Sequence, residues 1–206
     1  MDDADRDGGG DAPTGTAVDT DGTDADDGGA LAWETRESRL DYSCPGFDVR
    51  RDAVRFPDGT DGEYHYVDEP PAVVVLPFTP DGSVVCIDEW RQAVGRVNRG
   101  IPAGSMESGE DPAEAAAREL REETGHEAET LDPLVTVEPS NGVANSVHHH
   151  FVARGCTPTA DTAFDADESI RPVTVDYATL REAALSGDLR DGRAVLAVSN
   201  YEASDG

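Results

Sequence analysis

GSMESGEDPAEAAARELREETGH, residues 104–126, carries the tightest pattern in the chain. Asp111 is a capping residue, Pro112 sits where a first helical turn tolerates proline, and Gly125 is a natural stop. Residues 111–124 are therefore predicted to be a helix held between glycine-bearing loops. Helical residues turn by about 100° each, which puts Glu119, Glu122 and Glu123 in a fan of roughly 100°. Ala115, Ala116 and Leu120 are assigned to an opposite, buried face. Three like charges on one helix face are compatible with plain solvation, since each repulsion costs only a few tenths of a kcal/mol. They are also the oxygen-rich donor set that a hard divalent cation prefers. Arg118 precedes Glu122 by four residues and can hold a carboxylate in place, while Gly104 and Gly109 let the flanking loop bend tightly.

The rest of the chain reads as short strands with turns between them. Residues 47–56 alternate apolar and charged side chains and end at Pro57-Asp58-Gly59, with 63–67 returning as the second arm of a hairpin. The apolar run 72–78 and residues 83–87, joined by Pro80-Asp81-Gly82, look like a second and more buried hairpin. Further strands are expected at 134–137, 147–152 and 173–175, and helices at 177–185 and 193–201. Strands mixed with about three helices indicate an α/β (α+β) sandwich. Residues 1–30 contain ten Asp and one Arg and no aromatic, Leu or Ile, so they are expected to be a disordered acidic tail ahead of a single domain at 31–206.

Gly104, Glu110, Arg118, Glu119, Leu120, Glu122, Glu123 and Gly125, at this spacing, resemble the signature box of the Nudix hydrolase family, with His126 in place of the usual final aliphatic. The resemblance implies a Nudix-type α/β/α sandwich with a mixed sheet. It also implies hydrolysis of a diphosphate linkage attached to a nucleoside. Glu119, Glu122, Glu123 and the backbone carbonyl of Ala103 would coordinate Mg²⁺ or Mn²⁺, and Glu110 would support the loop and helix. Such a cation neutralises the diphosphate and lowers the pKa of a water.

Features outside the box resemble the ADP-ribose pyrophosphatase branch. They are Asp88-Glu89-Trp90-Arg91-Gln92, then Ile101-Pro102-Ala103-Gly104, then the proline-bearing loop Glu138-Pro139-Ser140-Asn141-Gly142. Arg91 suits a bidentate phosphate or ribose contact, Tyr42 or Phe47 suits stacking on adenine, and Asn141 lies in the loop tied to substrate choice. Residues 140–152 contain no acidic side chain, although members of the branch often place a catalytic Glu there. The water-activating base is then assigned first to Glu122 and second to Glu168. Gly100 also stands where relatives commonly carry Glu. In the run His148-His149-His150, strand alternation would turn His148 and His150 together into the cleft and His149 away. The resemblance further implies a homodimer. Rival readings are a Nudix hydrolase for a nucleoside triphosphate, dinucleoside polyphosphate, NADH or capped RNA, and a non-catalytic nucleotide-sensing module.

The formal net charge is −28, from 44 acidic residues against 16 basic ones, all of them Arg. A surface of that sign repels nucleic acid and anionic membrane, which favours a small-molecule nucleotide as the partner. Three cysteines without CxxC spacing argue against a disulfide framework or a structural zinc site. No apolar run approaches a membrane span, so a cytoplasmic protein is expected. The absence of Lys and the acidic excess match adaptation to a salt-rich, halophilic cytoplasm, because salt screens self-repulsion in the folded state. Stability against urea is accordingly expected to rise as KCl is raised from dilute to molar concentration; a midpoint that stays flat or falls would sink that account.

Overall fold

The fold was obtained as a computed structural model, which describes residues 28–164 and 169–204. In chain order the strands are β1 (Glu34–Cys44), β2 (Phe47–Arg55), β3 (Asp61–Asp68), β4 (Ala72–Pro77), β5 (Ser83–Arg91), β6 (Arg96–Gly100) and β7 (Ala103–Ser105). Helix α1 (Pro112–Thr124) is followed by β8 (His126–Glu127), β9 (Thr130–Val137), β10 (His148–Arg154), β11 (Thr157–Pro158) and β12 (Ile170–Asp176). Helices α2 (Tyr177–Ser186) and α3 (Gly192–Ser204) complete the described chain. Gly28–Ala30 and Gln92–Val94 are single 3-10 turns. The remainder of the expected tail, residues 1–27, lies outside the described residues.

A four-stranded sheet of order β7-β4-β10-β9 is mixed, because β10 runs parallel to β4 while the other pairs are antiparallel. The unbroken apolar run in β4 needs cover on both faces, and it has it. Val73 and Val75 pack with Ala115, Ala116 and Leu120 of α1. Val74 and Leu76 face the other way, onto Cys86 of β5 and Ala194, Ala197 and Val198 of α3. The second layer is the sheet β12-β5-β6, and β1-β2-β3 form a separate antiparallel sheet. The result is the expected mixed α/β sandwich with three α-helices among the described residues. None of these helices is long and apolar enough to cross a membrane.

Two expectations need correction. Residues 72–78 and 83–87 do not form a hairpin: β4 and β5 join different sheets, and among the described residues their strand pairing is limited to the isolated bridge between Phe78 and Val84. The turn itself is where its residues predict, with Gly82 at positive φ, but a tight turn fixes a reversal and not the partners beyond it. A strand also precedes the first expected one at residues 47–56: β1 starts at Glu34 and is exposed along nearly its whole length. Lacking a buried face, β1 has no apolar alternation to betray it.

All three cysteines are free, and burial pushes the Cys86 thiol up to about 12 and the Cys156 thiol up to about 11, so both are inert. Gly125 ends α1 at φ 72°, and a Cβ there would lie 2.4 Å from the backbone oxygen of Ala160. The opposing backbone cannot retreat, because Thr159 and Ala160 both donate to the Gly125 carbonyl. Gly125→Ala is expected to cost about 1–3 kcal/mol of stability; an unchanged urea midpoint would show that this junction relaxes freely.

Candidate active site

Helix α1 begins as the sequence dictates: the Asp111 side chain accepts from the Ala113 N–H, and Gly125 caps the other end in the left-handed conformation. Two of its three box carboxylates are not on a solvated face. Glu119 is 8% exposed and Glu123 2%, and both share the buried side of the helix with Ala115, Ala116 and Leu120. This corrects the assignment of the apolar residues to an opposite face, since Ala115 and Glu119 stand one turn apart on the same stripe. Glu123 accepts the Ala103 backbone N–H at 3.0 Å, which ties the helix to β7. At Gly104 an added Cβ would lie 2.2 Å from the carboxyl carbon of Glu119, so glycine there makes the cradle for that carboxylate.

Arg118 organises the rest. It donates from Nε and Nη2 to the two oxygens of Glu110, from Nη1 to Glu119 at 2.6 Å and to Glu122 at 3.1 Å, and from Nη2 to the Ser105 carbonyl. Bonding to Arg118, and secondarily to the Glu107 N–H, holds the Glu110 carboxyl at about 2. The Glu110 contact in turn raises the Arg118 guanidinium above its ordinary value. As they stand, the carboxylates are engaged by Arg118 and Ala103, and among the described residues no three His, Cys, Asp or Glu side chains converge into a metal-holding group. The donor types nonetheless suit a hard cation, with three carboxylates gathered along one edge of the sheet beside a cradle kept open by Gly104.

Arg91 lies within electrostatic range of Glu123. It ion-pairs with the buried Glu89 at 2.6 Å, and burial, with Arg193 next, lowers its pKa against the opposing pull of Glu89, then Asp191 and Glu123. Tyr42 is not gathered in: it is 57% exposed on β1, with Phe47 as its ring neighbour. Asn141 lies with Glu138 and Asn145 in a cleft beside Tyr64 and Tyr66 of β3. Glu168 falls outside the described residues. His148 and His150 do share one side of β10, with ring centroids 6.4 Å apart, while the His149 ring meets the Thr136 hydroxyl. Asp191 and Arg193, at the start of α3, are not legible as site residues in the sequence because they sit about a hundred residues from Glu89 and Arg91. Only the folded neighbourhood joins them, and no local spacing signals it. His126 fits the box by local bonding instead of packing, its ring meeting the Thr124 carbonyl.

The NUDIX domain family matches residues 68–197, well over half the chain. A methanol dehydrogenase activator of Bacillus methanolicus is 32% identical over 148 residues, covering 71% of this chain and 80% of that protein. An ADP-ribose pyrophosphatase of Bacillus subtilis (strain 168) is 30% identical over 158 residues, covering 76% and 85%. The solved structure of an ADP compounds hydrolase shares the fold with a TM-score of 0.72 at 23% identity, over 82% of this chain and 92% of that one. The chain belongs to the NUDIX family, whose reaction is hydrolysis of a nucleoside diphosphate derivative.

Because the group that would collide at Gly104 is the end of a flexible side chain, Gly104→Ala is expected to displace the Glu119 carboxylate and leave the fold intact. Hydrolysis should fall at least about tenfold, on the scale of a misplaced catalytic group, with the urea midpoint nearly unchanged. Full activity in the variant would show that the cradle is not needed.

Proposed function

We propose that the protein is a Mg²⁺- or Mn²⁺-dependent hydrolase that splits the diphosphate of ADP-ribose, or a closely similar nucleoside diphosphate sugar, into AMP and a sugar phosphate. The observation that carries this is the carboxylate set of α1, organised by Arg118 beside the Gly104 cradle, with Arg91 close enough to feel Glu123. The names borne by relatives along most of the chain support the substrate, two of them being ADP-ribose pyrophosphatases.

Glu119, Glu122, Glu123 and the Ala103 carbonyl are the groups that would hold the cation. When bound, it would supply charge neutralisation at the diphosphate and a more acidic water. The chain's own residues do the remainder. Arg91 binds and orients a phosphate through its planar fork. Glu122 is the most exposed of the three box carboxylates, its side chain 34% exposed, so it has the reach to take the proton from the attacking water. Arg118 fixes where Glu122 points. Glu168 stays the second candidate for the base. A specific observation favours a non-catalytic nucleotide-sensing module as the alternative reading: the stretch 140–152 contains no carboxylate.

The test is incubation in high KCl with Mg²⁺ and ADP-ribose, ADP-glucose, diadenosine polyphosphates, NADH and nucleoside triphosphates, beside a Glu122→Gln control. AMP is expected chiefly from ADP-ribose, with kcat in the control lower by about 10²-fold or more, the usual worth of a general base. Faster turnover of a different compound replaces the substrate, and binding of ADP-ribose without any turnover replaces the enzyme with a sensing module.

A further inference from the structure

A second polar group of side chains lies inside the sandwich, away from the box carboxylates. His150 is 1% exposed, and neither of its ring nitrogens has a hydrogen-bond partner among the described residues. Nδ1 of His148 is likewise buried and unpartnered. Leaving such a group dry costs about 1–3 kcal/mol each, so three of them on one patch call for something polar to meet them.

The sheet register locates the patch. His150 pairs with Val74, and Val74 with Ala103, so the three stand side by side across β10, β4 and β7. Val74 and Ala103 belong to the core between the two sheets, and the His150 ring shares that side with them. It therefore stands about two strand spacings, roughly 10 Å, from Ala103. Asp191 and Arg193 act electrostatically on both imidazoles and on Arg91, and Glu69 acts on His148. Asp191 also caps α3 through the Ala194 N–H, and its carboxyl carbon would lie 3.3 Å from a Cβ at Gly100. A side chain at residue 100 would compete with that carboxylate for space. The patch thus joins the box through Arg91. An imidazole that stays neutral offers one donor and one acceptor, the Asp191 carboxylate accepts and the Arg193 guanidinium donates. A bare anion would suit the donors alone, be repelled by Asp191 and leave the acceptors unmet, so the mixed set matches a vicinal diol better.

We propose that His148 and His150, with Asp191 and Arg193, form the subsite for the sugar on the far phosphorus of the substrate and set which sugar is accepted. This rests on the reading that a nucleoside diphosphate sugar is cleaved at the box.

The test is a titration of the full chain in high KCl with ribose 5-phosphate and, separately, with inorganic phosphate, following the imidazole ¹⁵N and ¹H resonances. Substituting the five histidines one at a time assigns the signals, and elimination serves for any variant that fails to fold. Saturable shifts at His148 and His150 with ribose 5-phosphate, absent with phosphate, and with His65 and His126 silent, are expected. No shift would mean that water alone meets the rings, and an equal shift with phosphate would mean an anion site; either overturns the subsite. For variants that fold, His148→Ala is expected to lower kcat/KM for ADP-ribose at least tenfold relative to the methyl ester of ADP, and a parallel loss on both compounds would mark a merely structural residue. Failure of the substrate reading appears elsewhere, as no AMP released from ADP-ribose by the unaltered protein, and the resonance titration does not depend on turnover.

Discussion

Everything at the candidate active site depends on keeping several carboxylates together at the edge of a buried sheet with a single guanidinium among them. Two carboxylates about 4 Å apart repel by about 4 kcal/mol at the dielectric typical of a protein surface. Removing them from water adds a further penalty unless they are paired. Arg118 answers both demands, because its planar fork meets Glu110 with two bonds and still reaches Glu119, Glu122 and the Ser105 carbonyl. A lysine would offer a point charge with no fixed geometry and could not span the loop and the helix together. The loop and the carboxylates are thereby placed in one step, and the fold around them needs only to present α1 to β4 and β7.

That presentation comes from ordinary packing. Ala115 and Ala116 are small enough to bring the helix close to Val73 and Val75, and Leu120 fills the remaining space beside Phe151. The same stripe continues into Glu119 and Glu123, so the apolar contact that fixes the helix also turns two carboxylates inward. Burying a side chain such as Leu120 contributes about 1.5–3 kcal/mol, comparable to the cost of holding a charge beside it. Packing and charge burial are thus joined along one helix face.

How much of this was legible follows from the range of the interactions. The ends of α1, the reach of Arg118 to Glu122 and the alternation of His148 and His150 are set by neighbours within a few residues, and spacing reveals them. The support that Glu110 gives the loop is implied by the family resemblance, and its bonds to Arg118 span eight residues. The burial of Glu119 and Glu123 was legible in principle, since they stand one turn from Ala115 and Leu120, but reading their charge as a sign of solvent exposure hid it. The separation of β4 from β5 was not legible, because their turn is compatible with pairing and the choice of β10 and β7 as partners lies in distant sequence. Nor was the convergence of Glu89 and Arg91 with Asp191 and Arg193, which needs β5 and α3 to meet across the core.

The scarcity of basic residues sharpens the meaning of where they sit. With 16 Arg against 44 acidic residues, carboxylates outnumber the guanidiniums that could pair with them by nearly three to one. Several of the arginines nevertheless join separate elements of the fold. Arg99 of β6 and Arg171 of β12 both donate to the buried Asp88 of β5, which ties the three strands of that sheet together. Arg118 binds the loop to α1, and Arg91 pairs with Glu89 where β5 approaches the box. Pairs of this kind are shielded from salt far better than surface pairs. In each junction it is the carboxylate that is the more buried partner, at Asp88, Glu89 and Glu110, so these pairs respond to ionic strength less than pairs exposed at both ends, and the geometry of the site is held apart from the electrostatics of the acidic exterior.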